Sequence, residues 1–450
     1  MDYKKLSVAA LIALGSSMVF AQDAEIATWA GFRKAAVSFT FDDGPQSDVD
    51  VALPMFEKYG YKATFNIVTN WANGGGNNGM LNWSGVQKLS AAGHEIASHS
   101  DSHPNGKPMP SNEISSSKGT ISQKIQQKYG VVTLAYPNCD TPGDAQVLQN
   151  YVVGRICNGS WKGGSDIMGK DGPSNWAAVS ALMTGNQGTS DFKGNMDKAV
   201  QQGGWVAFLT HGFQNKTNGF ADYSPTDANG MDGALQYAQQ KDKDIWVAPM
   251  GYVAMYIKER NASKIEPQDG GSANSMAFEL KHSIADNISK YDYPLSIKVK
   301  TDWSKVEVTQ DGAKLESKVD GGYVYFDAVP NAGKIVVSNA NAAPEPESSS
   351  SSEVESSSSE FLCDALIPGC GDNPWAIAPE IQDNFHFAVY RSSDNYIVVS
   401  GAQGHEITVF NSLGHKLRTT RGLGAEQKVY TGAKGVYIVK VGNKTRKVKL

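Results

Sequence analysis

Ala35-Ala36-Val37-Ser38-Phe39-Thr40-Phe41 is an apolar run that stops abruptly at Asp42-Asp43-Gly44-Pro45. The run reads as a buried strand, and Gly44-Pro45 as the turn that ends it. Adjacent residues at a strand end point in divergent directions, so Asp42 and Asp43 can hold different partners. Two like charges this close raise each other's pKa, a cost that a bound cation offsets. Asp-Asp-Gly also suits an Asx-type turn capping a strand, and the stretch alone fits both readings.

Outward from this strand, short apolar runs alternate with amphipathic segments from about Arg33 to Arg260. Candidate strands are Ala35–Phe41, Ala63–Val68, His94–Ala97, Val131–Tyr136, Tyr151–Cys157, Trp205–Leu209 and Ile245–Val247. Candidate helices are Val49–Tyr59, Trp83–Ala92, Asn112–Tyr129, Phe192–Gln202 and Met250–Arg260, with Gly60, Gly93, Gly130 and Gly203 as C-terminal caps. Such alternation specifies a parallel sheet, open or closed into a barrel, with its chemistry at the C-terminal strand ends. Asp42-Asp43, His99, His103, Asn138 and His211 all fall at such ends.

Beyond the alternating region, residues 272–340 change to period two: Leu295, Ile297 and Val299, then Val306 and Val308. With a hairpin turn at Gln310-Asp311-Gly312 they read as a small β-sandwich, either a packing domain or a glycan binder through Trp303 or Tyr323. Residues 341–360 are dominated by Pro, Glu and Ser and cannot bury enough apolar surface to fold, so they form a disordered, solvated linker. A last β-rich unit covers 381–450 and ends in a basic tail, Lys444 to Leu450, of the kind an edge strand carries.

At 450 residues the chain holds two or three domains, and its net charge of -5 with no basic patch argues against nucleic acid. A monomer is expected. Lys4-Lys5, the apolar run Leu6 to Phe20 and the small-residue site Val19-Phe20-Ala21 read as a secretory signal over 1–21, placing the chain outside the cell. An exported chain permits disulfides, and Cys139/Cys157 is the pair expected to form one; two buried thiols are the alternative. Neither Cys139/Cys157 nor Cys363/Cys370 has the spacing of a thiolate zinc site.

His99-Ser100-Asp101-Ser102-His103 sets two imidazoles four residues apart, roughly 40° around a helical turn, so both could face one metal. Alone the pair fits a surface pair equally well. His94-Glu95 does not make a zincin motif, because His94 and His99 lie roughly 140° apart on a helix; His94 reads as structural. With Asp43, the two histidines form a two-His, one-carboxylate set suited to a catalytic divalent metal. His211, after the buried run Trp205–Thr210, is a natural general acid.

These residues carry a resemblance. Thr40-Phe41-Asp42-Asp43-Gly44-Pro45 and Gly93-His94-Glu95-Ile96-Ala97-Ser98-His99-Ser100-Asp101-Ser102-His103 reproduce the first two motifs of the polysaccharide deacetylases of carbohydrate esterase family 4, the NodB-homology domain. Leu209-Thr210-His211 is similar to the fifth. The match covers about Arg33 to Arg260. The resemblance implies a deformed (β/α) barrel and a metal-dependent hydrolase removing acetyl groups from a polysaccharide. Asp42 would be the base, and Asp43, His99 and His103 the ligands of Zn2+, with Co2+ or Ni2+ as alternatives. The metal and the Asn138 backbone N–H would hold the oxyanion, with Tyr136 beside them, and His211 would be the acid.

Two positions depart from the family. Ala135-Tyr136-Pro137-Asn138-Cys139 lacks the usual Arg of the third motif, which Arg155 on the next strand could replace. The fourth motif, whose Asp supports the acid histidine, has no clean match; Asp166 and Asp171 are the alternatives. The unit at 381–450 resembles the sorting domains of type IX secretion substrates, through Gly435-Val436-Tyr437-Ile438-Val439-Lys440 and the basic tail, which implies outer-membrane secretion machinery as a partner. The competing reading is a non-catalytic carbohydrate-binding protein on the same scaffold.

Overall fold

A computed structural model describes residues 24–342, except 106–108, 140–143, 163, 186–187 and 287, together with seven strands between 388 and 449. The signal segment, most of the Ser/Glu-rich linker and Cys363 with Cys370 lie outside the described residues. The chain divides into two compact units, Met1–Ser348 and Ser349–Leu450. No helix among the described residues is long and apolar enough to cross a membrane.

The first strand, β1 (Ala24–Ile26), precedes the barrel, which begins at β2 (Ala35–Phe41). Every residue of β2 is buried because the strand is covered on both faces. Phe39 and Phe41 point outward, stacking on Phe208 and Phe65 of the neighbouring strands at 5.3 and 4.8 Å and meeting the helix residue Phe56 edge-on. Ala36, Ser38 and Thr40 alternate to the opposite face. They are small, and their hydroxyls are satisfied locally: Ser38 donates to the Ala248 carbonyl and Thr40 to that of Phe208.

The sheet continues in parallel through β3 (Thr64–Ile67), β4 (Glu95–Ser98), β5 (Thr133–Ala135) and β6 (Val153–Ile156). After β7 (Ile167–Met168), which runs antiparallel, come β8 (Val179–Ser180), β9 (Leu182–Met183), β10 (Trp205–Thr210) and β11 (Ile245–Val247). β10 and β11 pair in parallel with β2. Closure comes from one extended segment. Val179 and Ser180 pair with β6, while Leu182 and Met183, one residue later, pair with β10. The result is a nearly closed (β/α) barrel.

Several elements differ from the sequence reading. The helix expected to reach Tyr129 spans Ser111–Lys124, because Ile125 turns to extended φ and ψ; Gly130 then serves a turn and caps no helix. The start of the helix after Pro45 is a π-helical turn, Asp48–Ala52. Ala228–Gln240 is a further amphipathic helix, capped by Asp227.

The β-sandwich has two antiparallel sheets, and β1 joins one of them against Leu295–Lys300. The sandwich unit therefore begins before the barrel in sequence. Asp311 and Gly312 both take positive φ in the hairpin joining Val306–Gln310 to Ala313–Leu315, as an Asp-Gly turn requires. Helix Met250–Ala262 is buried nearly all round, because it lies between barrel and sandwich, and one apolar cluster runs from Trp205 and Ala207 through Val253 and Ile257 to Ile297 and Val337. Trp303 packs against that cluster.

The second unit contains a three-stranded and a four-stranded antiparallel sheet around Ile397, Val399, Ile407, Val409, Val439 and Val441. The basic tail forms strand Lys444–Lys449 at the edge of the larger sheet, on Val436–Val441.

Candidate active site

Register brings the candidate residues together. Thr210 pairs with Phe41, so His211 follows β10 where Asp42 follows β2, and the Asp42 N–H donates to the Thr210 carbonyl. Ile67 pairs with Ser98, which sets His99 beside the end of β3. Asp42 keeps the inward parity of Ala36, Ser38 and Thr40. Asp43 then turns away with φ of 76°, and the two carboxylates separate as expected.

Asp42 is clamped. Its Oδ1 accepts from Asn66 Nδ2 at 2.8 Å and from Arg155 Nη2 at 2.6 Å, and the same Nη2 contacts Oδ2. Arg155 thus occupies the place left open by Ala135. Burial alone would raise the Asp42 pKa; the Arg155 guanidinium, aided by His99, His211 and the Asn66 amide, outweighs it and holds the carboxyl at about 2.

Asp43 lies in the opposite situation. Its Oδ1 is buried without a hydrogen-bond partner, and burial followed by the Asp42 charge pushes its pKa well up. His99 Nε2 is 3.4 Å and His103 Nε2 3.5 Å from that oxygen. His99 Nδ1 lies 2.8 Å from the Ala135 carbonyl, which calls for the Nδ1–H tautomer and leaves Nε2 a lone pair. Asp43, His99 and His103 are a set whose ligand atoms all lie within 4.8 Å of one another. An orphaned carboxylate oxygen facing imidazole nitrogens is what a divalent cation satisfies, so these residues fit one.

The two histidines do not share a helical turn. Residues 99–103 form a loop in which Ser100 and His103 have positive φ. Side chains replace the helical backbone bonds. Ser100 Oγ accepts from the His103 N–H, and the Glu113 carboxylate accepts from the N–H groups of Asp101 and Ser102 and the Ser102 hydroxyl. The rings still converge, with centroids 5.0 Å apart. Glu113 was not singled out from sequence; its position in the first turn of Ser111–Lys124 is the signal that could have marked it.

His211 stands on another wall of the same cavity of about 680 Å³. Burial lowers its pKa, opposed by the nearby Asp42 charge. Neither alternative supports it: Asp166 accepts from the Ser160 N–H and the Ser180 hydroxyl, and Asp171 pairs with Lys170 and Arg260 at the surface. Among the described residues no carboxylate hydrogen-bonds to His211.

Asn138 has φ of 55° in the turn Pro137–Cys139, and its side chain donates to Asn105 Oδ1 at 3.0 Å. The expected Cys139–Cys157 disulfide is present and ties this turn to the strand carrying Arg155. Tyr136 lines the same cavity, as expected of a residue beside Asn138, and its hydroxyl donates to the Ala177 carbonyl at 2.7 Å, which supports the closing segment. His94 is structural: its Nδ1 accepts from the Ala63 N–H, and burial lowers its pKa to about 3.

Sequence reasoning missed the aromatic wall. Phe220 and Tyr223 are 56% and 65% exposed on the loop after His211. Tyr223 meets His211 edge-on at 5.5 Å; Phe220 touches Trp71, which stacks on His103. Buried Asn218 fixes this loop, accepting from the Ser47 hydroxyl and the Phe213 N–H and donating to the Phe213 carbonyl and the Asp222 carboxylate. Gly219, at φ of 56°, closes against Asn78, whose carbonyl a Cβ would meet at 2.1 Å.

Residues 30–151 match the family described as polysaccharide deacetylase. The chain is 25% identical over 371 residues to a gellan lyase from a Bacillus species, covering 78% of this chain and 14% of that protein. It is 32% identical over 125 residues to a bifunctional xylanase/deacetylase from Pseudobutyrivibrio xylanivorans, covering 28% of this chain and 19% of that one. The chain therefore spans less than a fifth of either relative, 14% and 19%. A solved structure, the Xyl-CE4 domain of a multidomain xylanase from the hindgut metagenome of Trinervitermes trinervoides, is 18% identical, with 47% of this chain and 87% of that one covered and a TM-score of 0.28.

Proposed function

We propose that this chain, with its polysaccharide deacetylase match at residues 30–151, hydrolyses acetyl groups on a polysaccharide in a metal-dependent reaction. The observation that carries the reading is the orphaned Asp43 oxygen facing His99 and His103, beside a second carboxylate held separately by Arg155. Asp43, His99 and His103 would hold the metal. A divalent cation bound there would acidify water and polarise a carbonyl.

Asp42 is the base. It is ionised across the neutral range, and Arg155 with Asn66 orients it. A carboxylate titrating at about 2 is a weak base, so it needs an acidified water as its proton donor, and that dependence ties the two carboxylates into one device. The Asn138 N–H is the oxyanion donor, held in place by its positive φ and the neighbouring disulfide. His211 delivers a proton to the departing amine or alkoxide. Trp71, Phe220 and Tyr223 offer ring faces to the sugar and exclude water around it.

The signal-like segment and the C-terminal β unit support a further reading: export from the cell, with the last unit as an address for outer-membrane secretion machinery. Acetate release from chitooligosaccharide compared with acetylated xylan, with and without a chelator, tests the enzymatic proposal. Release from one substrate, abolished by chelation and restored by Zn2+, is expected. A folded, metal-replete protein that only binds these polymers would favour the non-catalytic carbohydrate-binding reading.

A further inference from the structure

At the end of the barrel opposite Asp42, two cavities of about 520 and 490 Å³ share Gly31, Ser296 and Asp327 as lining. They therefore adjoin across these three residues and together line a trough-like stretch of the seam between barrel and sandwich. β2 separates it from the candidate site: seven residues at ~3.3 Å each are about 20 Å. The trough belongs to neither end of the catalytic cleft.

Its walls are aromatic on both sides. Trp246, Tyr252 and Tyr293 line one half, with Tyr252 and Tyr293 5.7 Å apart. Phe32 and Tyr325 line the other, edge to face at 5.3 Å. Tyr252, Tyr293, Phe32 and Tyr325 are all half-buried. The Tyr252 and Tyr293 hydroxyls form no hydrogen bond with another described residue. Between the halves, Ser296 accepts from the Gly31 N–H at 2.8 Å and donates to Asp327 at 2.5 Å.

Phe32 holds φ of 58°, a left-handed conformation that a bulky side chain rarely adopts. The chain tolerates this strain where β1 of the sandwich hands over to β2 of the barrel, and such strain gathers at ligand clamps. The charges around the trough are of mixed sign: Lys62 at one end, and Glu316, Lys318 and Asp320 at the other. Mixed charge does not suit a polyanion. Partly buried rings, hydroxyls without a hydrogen-bond partner and dispersed polar groups along these adjoining cavities suit the alternating apolar and hydroxylated faces of pyranose sugars.

From this geometry we infer that the seam is a second, non-catalytic binding site for a neutral polysaccharide strand. It rests on the deacetylase reading only for the identity of the polymer. Holding one stretch of a polymer there raises the effective concentration of other stretches at the cleft, without any change in the chemistry.

The test uses the full chain in native gels containing acetylated xylan or glycol chitin, with acetate release measured in parallel. Tyr325→Ala is the first variant. Lys318→Ala with Asp320→Ala, both on the exposed rim, is the second. Thermal unfolding confirms that each is folded. The expected result is a roughly tenfold loss of polymer affinity for Tyr325→Ala, as for one well-packed aromatic anchor. KM for the polymer should rise while kcat, and turnover of a monomeric acetylated sugar, are unchanged. If polymer retardation is lost in a protein that releases no acetate from any substrate, the deacetylase reading falls and the seam site stands. Unchanged retardation and KM in both folded variants would overturn the proposal. So would a Tyr325-dependent dimer with no polymer effect, which would make the seam a contact between copies.

Discussion

A single guanidinium nitrogen, Arg155 Nη2, contacts both carboxylate oxygens of Asp42, although the two residues lie 113 positions apart on strands that do not pair. The contact separates two adjacent aspartates: Asp42 is held by protein, whereas Asp43 keeps a buried oxygen without a hydrogen-bond partner, the one proposed to meet a cation. Arg155 is fully buried, and Asp42 accepts from its Nη2, whereas its Nε and Nη1 have no hydrogen-bond partner among the described residues.

Arg155→Met should therefore act on both stability and pH dependence. In the wild type, the depressed Asp42 pKa contributes stability that is present above its ordinary value of 3.8 and is lost as pH falls through about 2. Without Arg155, the largest influence opposing burial is gone, only His99, His211 and Asn66 remain, and the Asp42 pKa moves up. The acid limb of the activity profile should shift to higher pH, turnover should fall about 10²-fold or more, and the fold should lose about 3–5 kcal/mol. Turnover against pH, beside urea unfolding, checks it; an unmoved acid limb contradicts the clamp.

Much of this site was legible because its signals are local. A buried strand ending in Asp42-Asp43, and histidines at 99 and 103, sit together in sequence, and strand order then predicts their convergence. Arg155 could be named as a substitute because it lies on the next strand candidate, Tyr151–Cys157. The geometry of 99–103 was misread, since spacing alone cannot show that Glu113 and Ser100 replace helical hydrogen bonds. The closing segment Val179–Met183 is two residues of pairing on each side, too short for any period. Phe220 and Tyr223 lie on an irregular loop where exposure follows no repeat. The fusion of barrel and sandwich through Met250–Ala262 was hidden for another reason: the stretch reads as one more amphipathic segment, whereas the helix is buried nearly all round between the two.

Phe220→Ala and Tyr223→Ala should raise KM for polymeric substrate by roughly tenfold each, the scale of a lost aromatic anchor. Metal content and the turnover of a small acetate ester should change little. Equal losses on both substrates would mean that the rings serve the chemistry or the fold and not the sugar.

Glu259 reports on the seam between barrel and sandwich. Its carboxylate accepts from the Tyr293 N–H, and burial raises its pKa from 4.5 to about 8. A raised pKa contributes stability that is complete below 4.5 and is lost as pH rises through about 8. Glu259→Gln keeps an acceptor without the charge. Relative to wild type it should gain ~1 kcal/mol or more on going from pH 5 to pH 9. Parallel stability curves for the two proteins across that range would contradict the shift.

A chain ending near Ala343 should retain the proposed deacetylase activity, because the barrel and sandwich fall together in the first compact unit and the last β strands in the second. Acetate release per folded molecule, compared with the full chain, checks this. A folded but inactive truncation would show that the last unit takes part in catalysis and is not simply an address.

The most direct test of the central claim is metal content per chain, measured beside turnover, in Asp42→Asn and Asp43→Asn. The account predicts that Asp42→Asn keeps its metal and loses roughly 10²–10⁴-fold in turnover, with no rescue by excess divalent ion. Asp43→Asn should lose metal and regain part of its activity when the ion is supplied in excess. Loss of metal from Asp42→Asn with retention in Asp43→Asn would reverse the two roles, and unchanged turnover in both would contradict the mechanism.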